Sequence, residues 1–249
     1  MSYEEFNPDT VIDQYTVKKN QVQMIIDRGY NTTNEYLQFD DVYYLNLNRD
    51  DMINVAYQQL NNKAKASQLF NAIYTNPAKG TRVGVFYLEV EKGKEDVPKG
   101  AIVPYTSGDI GKNIIKNPGN FITDVIFISP KKLNTHAVDE IGDLIKLGIN
   151  VQSFTWIEML SICPKHLYNG SSKIMSSNEE EEFISSMIGN KANTKTLYKH
   201  HVNALPNFAT TDPIAKYYGA KSSDLITTNT KIFTHISALQ ETTFVRKVL

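Results

Sequence analysis

The stretch "DVIFISPKKLNTHAVDEIGDLIKLGINVQSF" (124–154) constrains the fold more than any other. Its two ends, 124–129 and 149–154, are short runs rich in β-branched and aromatic residues, the composition of strands. Between them the period changes to that of a helix. Asn134 or Thr135 can cap it, Val138, Ile141, Leu144 and Ile145 form its apolar stripe, and Gly148 can close it in the left-handed conformation. A strand, a helix and a second strand over this length read as a βαβ crossover, which requires a parallel pair. "RVGVFYLEV" (82–90) is apolar on both alternating faces, as suits a strand covered on both sides. "GAIVPY" (100–105) is expected to be a further strand, with Pro104 at an edge or end.

Two helices are predicted before this sheet. Asp9 and Thr10 can cap the first, Ile12, Tyr15, Val22, Ile25 and Ile26 give its stripe, and Gly29 ends it. The second follows "NRDD" (48–51), with Met52, Val55, Ala56, Leu60, Leu69, Phe70 and Ile73 as its apolar face and Asn76-Pro77 as its stop. Proline, glycine and serine in "ICPKHLYNGSSK" (162–173) mark a boundary. Beyond it, "SSNEEEEFISSMIGN" (176–190) is a helix whose glutamates favour its positive end. In "TDPIAKYYGAKSSDLI" (211–226), Asp212 is an N-cap, Pro213 suits the first helical position, and Lys216 or Gly219 suits the end. "DLIT" (224–227), "KIFTHI" (231–236) and "TTFVRKVL" (242–249) read as strands. The fold class is therefore α+β, with an N-terminal α/β domain over 1–160 and a small α+β domain over 161–249.

The chain has 249 residues, a formal net charge of −1 and one cysteine, Cys163. Near-neutral charge argues against attachment to nucleic acid or membrane by bulk electrostatics, though a local basic loop remains open. One cysteine excludes an intramolecular disulfide and a four-thiolate zinc site. The start lacks the basic and apolar regions of a signal peptide, and no apolar run approaches ~18 residues, so neither secretion nor a membrane span is expected.

Candidate chemistry is sparse. Cys163 and His166 have C-x-x-H spacing, but a nucleophile pair needs a third group to orient the base and a zinc site needs more ligands. His200-His201 are adjacent and point apart, and His136 and His235 are isolated. A metal-dependent nuclease on such a sheet needs a Glu-x-Lys pattern, which "EVEK" (89–92) does not provide. "SGDIGKN" (107–113) lacks the spacing of a phosphate loop and reads as a turn, with Asp109 a possible cap. No cofactor, metal or catalytic residue is assigned.

"CPKHL" (163–167), "LPNFATTDPIAKYYG" (205–219) and "FVRKVL" (244–249) follow one another in that order. Together they closely resemble the C-terminal assembly domain of the fifth subunit of eukaryotic DNA-directed RNA polymerases, a domain that archaeal polymerases have as a small subunit of its own. Pro164 and His166 match the first part of the family pattern. Leu205, Pro206, Asp212, Pro213, Ala215, Tyr217, Tyr218 and Gly219 match the second. "VQMIIDRGY" (22–30) resembles, more loosely, the end of the family's first helix. The resemblance implies a non-catalytic polymerase subunit with an N-terminal jaw domain and a C-terminal assembly domain. Its partners are then the largest subunit and, weakly, downstream double-stranded DNA. The implied partner interface is Pro164, His166, Pro206, Asp212, Pro213, Tyr217, Tyr218 and Gly219. Pro130, Lys131 and Lys132 fall where the jaw approaches DNA. Lys216 stands where the family has arginine, and Ser222-Ser223 where it has Arg-Gly. This divergence and the abundant asparagine suggest a version encoded by a large DNA virus, acting in a cytoplasmic viral factory or virion. A cellular version would be nuclear. A metal-dependent nuclease and a stand-alone interaction module on the same fold are the alternatives.

Overall fold

The computed structural model describes residues 8–61, 69–90, 93–117, 121–161, 169–188, 202–233 and 239–249. Two units divide the chain, Met1–Ser161 and Ile162–Leu249.

The first unit is built on a four-stranded sheet of β3 (Ala72–Asn76), β4 (Thr81–Tyr87), β5 (Asp124–Ser129) and β6 (Asn150–Thr155), in that spatial order. β3 and β4 form an antiparallel hairpin, whereas β4, β5 and β6 run parallel. The 124–154 stretch is thus the βαβ unit expected, with helix α5 (Thr135–Lys146) between β5 and β6. Asn134 caps α5 by accepting from the Ala137 amide at 2.8 Å, and Gly148 follows it with φ +80°. The other crossover, from β4 to β5, carries α4 (Lys99–Thr106) and a π-helical turn (Gly111–Ile115). These elements bury Phe86, Ile102, Tyr105, Ile115, Phe127, Ile141 and Leu144 in one cluster. β4 and β5 are buried along nearly their whole length, which explains their unbroken apolar sequence.

The other face of the sheet takes helix α1 (Pro8–Asp27). Val11, Tyr15, Val22 and Ile25 are buried at helical spacing, and the Tyr15 ring meets Phe70 edge-on at 5.2 Å. Lys18 occupies the same stripe and is completely buried. Its ammonium donates to Asp41 Oδ2 at 2.6 Å, Gln21 Oε1 at 3.0 Å and the Phe70 carbonyl at 3.1 Å. The Tyr74 hydroxyl donates to the same Asp41 oxygen and accepts from Gln21 Nε2 at 3.3 Å. Burial lowers the Lys18 pKa despite the opposing attraction of Asp41, and burial raises that of Tyr74 well above the usual phenol value. This network ties α1 to the segment between a small hairpin, β1 (Thr33–Asn34) with β2 (Phe39–Asp40), and helix α2 (Val42–Leu45). Helix α3 (Arg49–Asn61) follows, and α6 (Trp156–Leu160) ends the unit.

Several expectations are corrected. Asp9 and Thr10 lie inside α1, not at its cap. Ile73 belongs to strand β3, not to a long second helix, and Asn76-Pro77 opens the β3–β4 turn. There Asn76 Oδ1 accepts from the amides of Ala78 (3.0 Å) and Lys79 (3.1 Å), and Gly80 takes φ +62°. "GAIVPY" is helical, since Ile102, Tyr105 and Thr106 share one buried face at i, i+3, i+4 spacing. In α5 the buried residues are Ala137, Ile141 and Leu144, while Val138 (53%) and Ile145 (56%) are exposed.

The second unit is a four-stranded sheet in the order β7 (Asn169–Ile174), β9 (Leu225–Phe233), β10 (Leu239–Val248), β8 (Asn207–Phe208). "DLIT" and the start of "KIFTHI" form one continuous strand, β9, antiparallel to both β7 and β10. Helix α7 (Ser177–Ile188) begins at Ser176 with a reciprocal cap. The Glu179 carboxylate accepts from the Ser176 amide at 2.9 Å, and the Ser176 hydroxyl faces the Glu179 amide at 3.4 Å.

Candidate functional site

In the second unit the distinctive sequence 212–219 folds as helix α8 (Pro213–Tyr218) with both ends fixed locally. Asp212 caps it, accepting from the Ile214 amide at 2.9 Å. Pro213 sits at the start, where its missing N–H leaves no bond unmade. Gly219 takes φ +70°, a conformation that penalises residues with a Cβ, and the Ala220 amide donates to the Ala215 carbonyl at 2.9 Å. Six residues are too few for a helix to persist by propensity alone. The caps and the buried face therefore decide it. Ile214, Ala215 and Ala220 pack with Phe208, Ile226 and Val248, and Ile174 and Tyr218 lean on the same cluster.

The two tyrosines differ. Tyr217 is buried (5% exposed) and meets the Tyr218 ring edge-on at 5.2 Å, whereas Tyr218 is half-buried. Tyr217 is thus the more buried ring of the pair, and Tyr218 the one that packs on the Phe208–Ile226 cluster. Pro206 and Pro213 are exposed, and Asp212, Lys216 and Gly219 are partly so. Pro206 is held beside β10, its carbonyl accepting from the Lys247 amide at 2.9 Å. The Arg246 guanidinium lies 4.5 Å from the centre of the Phe208 ring, and Lys247 Nζ donates to Asn203 Oδ1 at 2.9 Å. The structure thus gathers Pro206, Asp212, Pro213, Tyr217, Tyr218 and Gly219 around one short helix and the adjoining sheet edge. Pro164 and His166, like Cys163, His200, His201 and His235, lie outside the described residues. The divergent Ser222-Ser223 pair forms a turn in which Ser223 takes φ +82° and donates its amide to the Val248 carbonyl at 2.8 Å.

In the first unit, Pro130, Lys131 and Lys132 lie just past the end of β5, and both lysines are exposed. The loop is anchored. Ser129 Oγ donates to the Lys131 carbonyl at 2.6 Å, and the Val97 amide donates to the Lys132 carbonyl at 2.9 Å. Lys131 Nζ rests on the Lys94 carbonyl at 2.5 Å. Its ammonium has further N–H groups to offer an anion.

Among the described residues, no group of three or more His, Cys, Asp or Glu is placed to hold a metal ion, and no helix is long and apolar enough to cross a membrane. The Lys18–Asp41–Tyr74 network is not among the features read from the sequence. Its signal there is a lysine at a core position of the α1 stripe, seven residues after Val11 and four before Val22.

No family model matches the sequence. The chain is 22% identical, over 219 residues that span 88% of its length and 89% of the relative's, to DNA-directed RNA polymerase subunit 5-like protein 1 of Arabidopsis thaliana.

Proposed function

We propose that this chain is a non-catalytic subunit of a multisubunit DNA-directed RNA polymerase. The near end-to-end similarity to a polymerase subunit 5-like protein carries the reading. The second unit binds the largest subunit, and α8 shapes the surface. A helix fixed by Asp212, Pro213 and Gly219 loses little conformational freedom on docking, which favours association. Pro206, Pro213 and Tyr218 supply the contact, Tyr217, edge-on to the Tyr218 ring, supports it, and Pro164 and His166 join it on the strength of the sequence pattern. The first unit is the jaw, and Pro130, Lys131 and Lys132 approach the downstream duplex. Such contacts go to phosphate and carry no sequence information. Location follows the polymerase: nuclear for a cellular enzyme, a viral factory or virion for a virus-encoded one, which the divergence and asparagine richness favour.

The test is co-purification of full-length tagged chain from its native source, wild type against Lys216→Glu/Tyr218→Ala. Wild type should bring down two very large polymerase subunits, and the variant should lose at least tenfold of them, about 1.4 kcal/mol of binding. If wild type recovers no polymerase, the proposal fails. If both recover it equally, the α8 surface is wrong. Within the assembled enzyme, Lys131→Ala/Lys132→Ala should flatten the slope of log affinity against log salt by about 1.8, for two lost phosphate contacts. An unchanged slope removes the loop from the DNA.

A further inference from the structure

The two edges of the second unit's sheet differ in how they are protected. An unpaired strand edge presents its N–H and C=O groups as a template for another chain, and proteins blunt it with bulges, charge, proline or shortness. β7 is blunted. Its register with β9 shifts between Asn169 and Ser172, and it carries exposed Lys173. The opposite edge is not. β8 covers β10 for two residues only, pairing Asn207 with Lys247 and Phe208 with Val248. β10 itself runs for ten residues, in unbroken register with β9 from Leu239 to Lys247. Beyond the cover of β8, residues 242–245 (TTFV) contain no charge, glycine or proline.

The direction of the backbone bonds shows which groups stand open. The Val248 amide donates to the Asp224 carbonyl at 2.9 Å, on the β9 side. The Lys247 amide donates to the Pro206 carbonyl at 2.9 Å and the Leu249 amide to the Phe208 carbonyl at 2.7 Å, on the β8 side. Successive residues of a strand alternate in this respect, so Phe244 and Arg246 bond to β9, and the N–H and C=O of Thr243 and Val245 point away from it. Pro206 ends the cover. In the parallel register its nitrogen is the one that would donate to the Val245 carbonyl, and proline has no N–H. Before it, residues 202–204 are helical. Among the described residues, no strand pairs with Thr243 or Val245 on that side.

The side chains beside this edge define what fits it. Phe244 is 39% exposed and shares a face of β10 with Val248, a member of the cluster with Phe208 and Ile226. An apolar residue laid next to Phe244 would take it out of water. On the opposite face Thr243 Oγ1 donates to Asn229 Oδ1 at 2.8 Å, and Asn229 Nδ2 donates to Ser171 Oγ at 3.1 Å, a polar row that suits polar neighbours. The edge also runs on directly from Pro206, which the proposed function places at the largest subunit. Resting on that reading, we propose that an extended segment of the largest subunit adds to β10 as a fifth strand in line with β8, its alternate residues apolar beside Phe244 and polar beside Thr243. Open backbone groups spaced along an edge are satisfied by another extended backbone, and the alternating side chains select which one.

The test is amide hydrogen exchange, resolved to single residues by fragmentation mass spectrometry, on full-length chain alone and within polymerase purified from the native source. In the free chain Thr243 and Val245 should exchange at least about tenfold faster than Phe244 and Arg246, and in the assembly all four should be protected alike. Protection of Thr243 and Val245 already in the free chain shows a cover supplied by the chain itself, and fast exchange in the assembly shows an empty edge. Either result overturns the proposal. Val245→Pro deletes an outward N–H and no bond to β9, so the melting temperature should fall by no more than a few degrees while recovery of the large subunits falls about tenfold. Val245→Thr, which keeps the N–H, should leave recovery unchanged. Equal recovery by Val245→Pro overturns the proposal, as does light scattering that shows a dimer of the free chain which Val245→Pro converts to monomer, since a second copy is then the occupant. The exchange measurement needs no variant and decides the matter if Val245→Pro does not fold. Wild-type chain that recovers no polymerase overturns the proposed function as well, whereas recovery with an exposed edge overturns the added strand alone.

Discussion

Replacing Lys18 by methionine tests the network that fixes α1 to the sheet. Methionine nearly matches the side chain in volume, so packing is preserved and charge is removed. The Asp41 carboxylate, fully buried, keeps only the Tyr74 hydroxyl at Oδ2, and its Oδ1 already has no hydrogen-bond partner among the described residues. Stranding one member of a buried ion pair costs about 3–5 kcal/mol. The Phe70 carbonyl also loses the Lys18 donor, and Gln21 Oε1 keeps only the longer contact from the Tyr87 hydroxyl at 3.5 Å, so the upper part of that range is expected. For a unit of this size the loss is a fall in melting temperature of roughly 6–20 °C. Trp156, the chain's one tryptophan, lies in the first unit, so its fluorescence in a urea titration follows that unit. The double variant Lys18→Met/Asp41→Asn should cost less than the two single changes together, by at least about 1 kcal/mol, because it removes the stranded charge. A single-variant cost below about 1 kcal/mol, or strict additivity, would refute the claim that a charged pair holds this core.

The remaining predictions concern both units. Asp212→Ala should destabilise the second unit by about 1 kcal/mol through the lost cap, and Gly219→Ala by a similar amount through φ +70°, both read from chemical unfolding. On α5, Leu144→Ala should cost about 2–5 kcal/mol, whereas Ile145→Lys should stay within about 0.5 kcal/mol, because Leu144 is buried and Ile145 is exposed. Burial raises the phenol pKa of Tyr30, Tyr44, Tyr74, Tyr87 and Tyr105 above the ordinary value of 10.0. The folded state therefore holds these protons after the unfolded state has released them. Their contribution is intact below about pH 10 and is lost as pH rises above it, so stability should fall there, and these five residues should add their tyrosinate absorbance only on unfolding.

How much of the fold is legible in the sequence follows the range of the forces involved. The start of α8 is readable to the residue because Asp212 and Pro213 act within one turn of where they stand, whereas its end is narrowed only to Lys216 or Gly219. Around α5 the cap is narrowed to Asn134 or Thr135 and the end to Gly148, and the 124–154 crossover is legible because its three elements adjoin in sequence. β3 is easily misread because Leu69, Phe70 and Ile73 also fit one helical face, and pairing with β4 overrides that pattern. The stripe on α5 fails at Val138 and Ile145, since apolar identity does not distinguish the two sides of a helix whose buried arc is narrow. Tyr217 and Tyr218 carry the same side chain, and nothing local to them says that Tyr217 is buried while Tyr218, half-buried, packs on the cluster around Phe208 and Ile226.

The buried polar network is the hardest feature to read. Lys18, Asp41 and Tyr74 are far apart in the chain and meet only when α1 lies on the sheet. A lysine in a core stripe is nonetheless a sharp signal, because burying it alone is prohibitively costly. The fold must then supply a carboxylate, and the candidates are the few acids whose neighbours are apolar or aromatic. Asp41, flanked by Phe39 and by Tyr43-Tyr44, is such a residue. The acid that pairs with Lys18 follows directly on the β1–β2 hairpin and precedes α2, so the ion pair fixes where that segment lies on α1, a register that apolar packing alone would specify less sharply.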